Sequence, residues 1–164
     1  MILLCYNVKI TDYGDIMAAF NLEEVLLRWK EVSKINSTKI IDELVKTPSL
    51  HSEFLEYYVF FRAKLSASEK KYNLMAWQKR KYYRGEMDQS DLTKNGWSQW
   101  NGLKPSSSEL NGLLEMDNDM NDLKERVDGY KTAVQTTEYI IKQINSRDWS
   151  LKSIIEYNKY LSGG

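Results

Sequence analysis

The apolar positions of this chain fall into stripes with helical spacing, and two of those stripes are long. After Pro48 no glycine or proline appears until Gly85, and Phe54, Tyr58, Phe61, Leu65, Ser68, Tyr72 and Met75 advance by alternating steps of four and three. Such steps place them on one face of one helix. Further on, Leu113, Met116, Met120, Leu123, Val127, Tyr130, Val134, Thr137, Ile141 and Ile144 follow the same rule, with Thr137 the single polar member. A repeat of about 3.5 residues, short of the roughly 3.6 of a free helix, marks a helix wrapped on another with a left-handed supercoil.

Shorter elements surround these two. Asn21 and Glu24 form a capping box that opens a helix carrying Leu22, Val25, Leu26 and Trp29 and fading near Ile35. Ser37 or Thr38 opens a short helix with Ile40, Ile41, Leu44 and Val45, which should end by Thr47 because the residue before a proline is pushed out of helical geometry. Thr47 then caps the first long helix, with Pro48 at its first position. Residues 85–105, with Gly85, Gly96, Gly102 and Pro105, read as a loop between the long helices. Two readings of Trp97 and Trp100 stand: the loop packs back on a helix, or the rings stay exposed for stacking. Ser106 and Glu109 give a second capping box at the head of the second long helix, which Asn145 and Ser146 should end. Ser146 or Asp148 restarts a final helix through Trp149, Leu151, Ile154, Ile155, Tyr157 and Leu161.

The expected fold is all-α: two long helices, of roughly 37 and 40 residues and about 55–60 Å, in an antiparallel hairpin with short N- and C-terminal helices. Residues 21–164 form a single helical domain. Residues 1–20 carry no comparable pattern and read as an extension, and Met17 could itself be a start codon. Two helices leave apolar surface uncovered, and the chain is rich in Tyr (11) and Trp (5), so a homo-oligomer is expected. Leu123, Val127, Tyr130, Val134, Ile141 and Ile144 of the heptad, with Trp149, are assigned to that assembly.

Composition narrows the function. With 164 residues, 42% apolar and 28% charged, the chain is too apolar for disorder, and 23 acids against 23 bases exclude a uniformly basic coat protein. No stretch approaches the ~18 apolar residues of a membrane span, and the opening lacks the basic start of a secretory signal. A lone Cys5 forms no internal disulfide, and a lone His51 builds no multi-histidine metal site. His51 has no marker of a catalytic base and reads as structural. The acidic run Glu115, Asp117, Asp119 and Asp122 lacks the sharp-turn glycine of a calcium loop and reads as a solvated helix face. No glycine loop cradles a phosphate. A non-enzymatic protein without metal or cofactor is expected, with the cytoplasm as its compartment.

The zero net charge hides a partition. Arg62, Lys64, Lys70, Lys71, Lys79, Arg80, Lys81 and Arg84 face one acid, Glu69, within the segment Arg62–Arg84, for +7, whereas Gly85–Asp128 carries −6. Tyr72, Trp77, Tyr82 and Tyr83 interleave with the bases. Single-stranded nucleic acid needs this pairing: cations track phosphates, and rings stack unpaired bases at ~1–3 kcal/mol each. Lys70, Lys71, Trp77, Lys81 and Arg84 fall at spacings that keep several on a shared side. Charge arithmetic supports equally a second reading, in which the basic helix pairs with Glu109–Asp128 and the chain is a structural coiled-coil adaptor. A weaker third reading makes the acidic run the centre of a metal-dependent nuclease.

The order of several short elements carries a resemblance. Ile35-Asn36-Ser37-Thr38-Lys39 comes first, then Leu50-His51-Ser52, Lys70-Lys71, Tyr82-Tyr83-Arg84-Gly85 and Ser146-Arg147. Over about residues 20–164 the chain resembles the UvsY family of recombination mediators of T-even-type bacteriophages. The resemblance implies a ring-shaped homo-oligomer in the infected host's cytoplasm that binds single-stranded DNA. It also implies contact with the phage recombinase and the phage single-strand-binding protein, and help in loading the former where the latter is bound. The family's basic motif before Tyr-Tyr-x-Gly falls on Gln78-Lys79-Arg80-Lys81, where this chain is about two residues longer and more basic. The DNA-binding residues expected are Lys70, Lys71, Lys79, Arg80, Lys81, Tyr82, Tyr83 and Arg84.

Overall fold

The computed structural model describes residues 21–163, and every regular element in that range is a helix: α1 (Leu22–Val32), α2 (Ile40–Tyr83), α3 (Gln89–Asn95), α4 (Ser107–Met116) and α5 (Asn118–Leu161). The expected extension of residues 1–20, with Cys5 and Met17, lies outside the described residues. The start of α2 meets the last third of α5 (Glu43 with Arg147), and its end meets the start of α5 (Lys79 with Asp119). That is the antiparallel order expected of the two long helices.

Caps set the ends of the elements. The Asn21 carboxamide accepts from Glu24 N–H at 2.8 Å, and its own Nδ2 donates to the Glu24 carboxylate at 3.1 Å. At the head of α4 both halves of the Ser106–Glu109 box form. Gly85, at φ 68°, closes α2 in the left-handed region, which lets Glu86 N–H reach the Lys81 carbonyl at 2.9 Å. The stretch 85–105 contains one element beyond the expected loop, α3, capped by Asp88 accepting from Asp91 N–H.

Three boundaries differ from the sequence reading. Pro48 lies inside α2, with no break at Thr47. The missing Pro48 N–H is tolerated because the turn before it is anchored: Thr47 donates its hydroxyl to the Glu43 carbonyl, and Glu43, Thr47 and Leu50 are all buried. Ser37 and Thr38 do not cap α2; Asn36 instead accepts from the N–H and hydroxyl of Thr38 in a tight turn before it. The second long helix breaks at Asp117, whose ψ of 124° is extended, and then runs through Asn145 and Ser146 to Leu161. Burial of Ile144, Arg147 and Leu151 on one face holds it helical there.

The described chain divides into two compact units, one from the residues up to Phe60 with those from Ala133 onward, the other from Phe61–Thr132. The core of the first holds Val25, Phe54, Thr137, Ile140, Ile144 and Leu151, with Trp29 edge-on to Phe54 at 5.6 Å. Arg147 crosses this core to the Val32 carbonyl (2.7 Å) and the buried Glu43 carboxylate. The core of the second packs Ala76, Leu114 and Met120 with Tyr72, Met75 and Tyr83.

Burial also corrects the assembly set. Val127, Val134 and Ile144 lie in the chain's own interior, so they have no surface to give another copy. Leu123, Tyr130 and Ile141 are half-buried, and Trp149 is 73% exposed. In the first unit Ile41, Val45, Leu55 and Val59 stand exposed on α2, one side of which buries Leu50 and Phe54.

Candidate nucleic-acid interface

The chemistry lies in the second unit, on the part of α2 that carries the basic stretch. A helix turns about 100° per residue, so Lys70, Leu74, Trp77, Lys81 and Arg84, separated by steps of four, three, four and three, form one stripe. Their phase is opposite that of the buried Leu65, Ser68, Ala76 and Lys79, and the stripe faces outward. Trp77 is 54% exposed, and the Lys81 ammonium sits 4.2 Å above its ring centroid. Arg80 and Lys71 are exposed on the two flanks. Among the described residues no carboxylate forms an ion pair with Lys70, Lys71, Arg80, Lys81 or Arg84.

Lys79 stands apart from the other expected cations. It is 6% exposed, and its ammonium meets Asp117 at 2.8 Å and Asp119 at 2.6 Å. The Trp97 ring covers it at 4.4 Å. Lys79 is thus a structural cation, pinning the α4–α5 break to α2, and is withdrawn from the set of surface bases. The same ion pairs commit two carboxylates of the acidic run.

Tyr82 and Tyr83 are half-buried beneath the returning loop. Tyr82 meets Trp97 at 5.2 Å and Trp100 at 5.9 Å, while Tyr83 meets Trp100 edge-on at 5.0 Å. Of the two readings for the loop tryptophans, packing back on the helix is the one observed. Gly102 permits the fold-over, since a Cβ there would lie 2.3 Å from the Trp100 ring. The Tyr83 hydroxyl donates to Asp117 at 2.7 Å.

This network fixes protonation. Burial pushes the Asp117 carboxyl upward, but hydrogen bonds from Lys79, Tyr83 and Met120 N–H outweigh it and hold it below its ordinary 3.8. Burial likewise pushes Lys79 down, and bonds to Asp117 and Asp119 hold it above 10.5. The Tyr83 phenol is pushed up by burial and by its bond to Asp117. Asp117 is more acidic folded than unfolded, so its stabilisation is complete above its unfolded value and is lost as pH falls through the folded one. Lys79 behaves oppositely, losing its contribution as pH rises through its raised value. Asp117→Asn should therefore lower the urea midpoint at neutral pH and make its decline between about pH 5 and pH 2 shallower than in the parent. An equally steep decline would assign the acid sensitivity to other groups.

Residues 28–164, a span that includes every candidate cation, match the family described as recombination, repair and ssDNA binding protein UvsY. The chain belongs to the UvsY family. Crystal structures of the bacteriophage T4 recombination mediator protein UvsY share its fold. One crystal form gives a TM-score of 0.77 at 18% identity, covering 88% of this chain and 99% of that one. A second gives 0.72 at 19% identity, covering 85% and 97%. No curated protein matches the chain by sequence. Among the described residues, no group of three or more His, Cys, Asp or Glu could hold a metal ion, and no helix is long and apolar enough to cross a membrane.

Within this UvsY-family chain, two contributors to the surface escaped sequence reading. Leu74 belongs to the outward stripe, and its signal is the second four-three series on α2, out of phase with the core. Lys124 faces the same unit's surface from α5, with no periodic signal to reveal it.

Proposed function

We propose that this UvsY-family chain is a non-enzymatic recombination mediator that binds single-stranded DNA along the outward stripe of α2. Lys70, Lys81 and Arg84 on the stripe, with Lys71 and Arg80 on its flanks, neutralise phosphates. Trp77 supplies the exposed stacking face, while Tyr82 and Tyr83 shape the end of the stripe from within their aromatic cluster. Several copies, associating through the exposed Ile41, Val45, Leu55, Val59 and Trp149 and the half-buried Leu123, Tyr130 and Ile141, hold one strand together as a ring-shaped homo-oligomer. In the infected bacterial cytoplasm, the strand so held is easier to strip of phage single-strand-binding protein and is presented to the phage recombinase.

One observation carries this reading: five cations without carboxylate partners beside an exposed tryptophan on one helix and its exit. The adaptor reading requires those cations to be masked by acids, and of the expected set Lys79 alone is so held among the described residues. The test is anisotropy of a labelled single-stranded oligonucleotide titrated at several salt concentrations. Five phosphate contacts per protomer predict a log–log slope of roughly −3.5, at about −0.7 per contact. Absence of binding at ~50 mM salt, or a flat salt response, would reject the proposal. Trp77→Ala should weaken binding roughly tenfold at every salt concentration and leave that slope in place, as a stacking contact requires. An altered slope without the tenfold loss would remove Trp77 from the base-stacking role.

A further inference from the structure

Two adjoining clefts open in the second unit, one of about 300 Å³ between α2, α4 and α5 and one of about 330 Å³ between α2 and α5, and share Tyr72, Asn73 and Lys124 as walls. The floor of the first is apolar, formed by Ala76, Leu114 and Met120 from the unit's core. Its rim carries three side-chain amides, Asn73, Asn111 and Asn121, one each from α2, α4 and α5. All three are exposed, and no described residue hydrogen-bonds to their carboxamides. The half-buried Tyr72 presents a ring in both clefts. At the mouth stand Arg80, a flank of the outward stripe, and Lys124, neither of them ion-paired among the described residues. The first cleft holds one carboxylate, Glu115. The second holds Glu69 and Asp128, the latter 3.4 Å from Lys131.

An apolar floor with a ring, amides offering both donors and acceptors, and cations at the entrance match the three parts of a nucleotide. The ring face meets the floor and Tyr72, the base edge meets amides, and phosphates meet Arg80 and Lys124. Glu115 can accept from an exocyclic amine. A volume near 300 Å³ lies at the lower end of small-ligand sites, in keeping with a single base and its sugar. Arg80 flanks the stripe and lines the cleft, so a strand whose phosphates run along α2 has a base within reach of the opening.

We infer that this cleft receives one unstacked base of the bound strand, so that the protein grips single-stranded DNA by a flipped-in nucleobase as well as by phosphates. The inference rests on the single-strand-binding reading above and names the part of the strand that the second unit holds. It also excludes duplex DNA as an equal ligand, because paired bases are not free to enter.

The test compares two labelled oligonucleotides of one length, a mixed-sequence strand and a strand with abasic sites throughout its centre, on the intact protein and on Asn73→Ala/Asn111→Ala/Asn121→Ala. The parent should bind the base-bearing strand about a hundredfold more tightly than the abasic strand, about tenfold from stacking on Trp77 and about tenfold from the cleft. The triple variant should lose the cleft's share, about tenfold, and keep the Trp77 share, the parent's affinity for the abasic strand and its salt slope. Asn121→Trp, which fills the cleft from an exposed position, should do the same. Circular dichroism of both variants should match the parent, as expected for exposed sites. A triple variant that keeps the full preference overturns the base cleft and leaves the phosphate stripe standing. A parent that binds neither strand overturns both.

Discussion

Reversing charge at Lys70, Lys81 and Arg84 together is expected to lower affinity for single-stranded DNA more than about a hundredfold near ~50 mM salt. Each neutralised phosphate contributes about 0.7 to the salt slope, so loss of three contacts removes roughly two powers of the salt concentration. At ~50 mM that alone amounts to several hundredfold, before repulsion from the new carboxylates is added. The slope should flatten by about two at the same time. Stability should hardly move, because Lys70 and Arg84 are exposed, Lys81 is half-exposed, and none has an ion-pair partner to orphan. Anisotropy across a salt series together with urea unfolding reads both quantities. Retained affinity would sink the stripe as the binding surface, and lost helicity would mean these residues hold the fold.

The converse experiment concerns Arg147. Its guanidinium is buried between the Val32 carbonyl at 2.7 Å and the Glu43 carboxylate, itself buried. Replacing Arg147 by alanine takes the buried partner from the Glu43 carboxylate and leaves it, among the described residues, only the exposed Lys46 at 3.2 Å. The expected loss is near the lower end of the about 3–5 kcal/mol for a broken buried pair. A loss of that size is a large share of the roughly 5–15 kcal/mol that stabilises an ordinary domain. Joint replacement, Arg147→Met with Glu43→Leu, should recover most of it, because a well-packed apolar pair often equals or exceeds a buried ion pair. Urea midpoints of the single and double variants decide the matter. If the double variant is as unstable as the single, the defect lies in packing of the long arginine stem rather than in the stranded charge.

The long-range skeleton was legible because it depends on periodicity, which is local. The four-three stripes located α2 and most of α5, and the Ser106–Glu109 box located the start of α4. Elements decided by distant partners were not legible. Pro48 obeys the local rule for ending a helix, yet the burial of Glu43, Thr47 and Leu50 around it overrides that rule. Asp117 interrupts a heptad that looks continuous, because its carboxylate serves Met120 N–H, the Tyr83 hydroxyl and Lys79 at once. Asn145 and Ser146 look like a terminus until Arg147 is seen bridging to α1 and α2. The candidate site divides in the same way. Lys70, Lys81, Arg84 and Trp77 were legible through helical phase. Lys79 was misplaced because its acids lie about forty residues further along the chain, and the heptad members Val127, Val134 and Ile144 proved to be intrachain core. The three amides of the cleft come from three helices and carry no periodic signature.

A helix functional on opposite sides leaves little freedom to its length. Deleting one residue between Ser68 and Ala76 would rotate everything downstream by about 100° relative to everything upstream. Lys79 would then leave its aspartates, or else Trp77 and Lys81 would swing away from Lys70. Drift among related chains in this part of α2 should therefore proceed by substitution, or by insertions of about seven residues that restore the phase. Point changes should gather where the outward face carries no charge, as at the exposed Ser66 and Ala67.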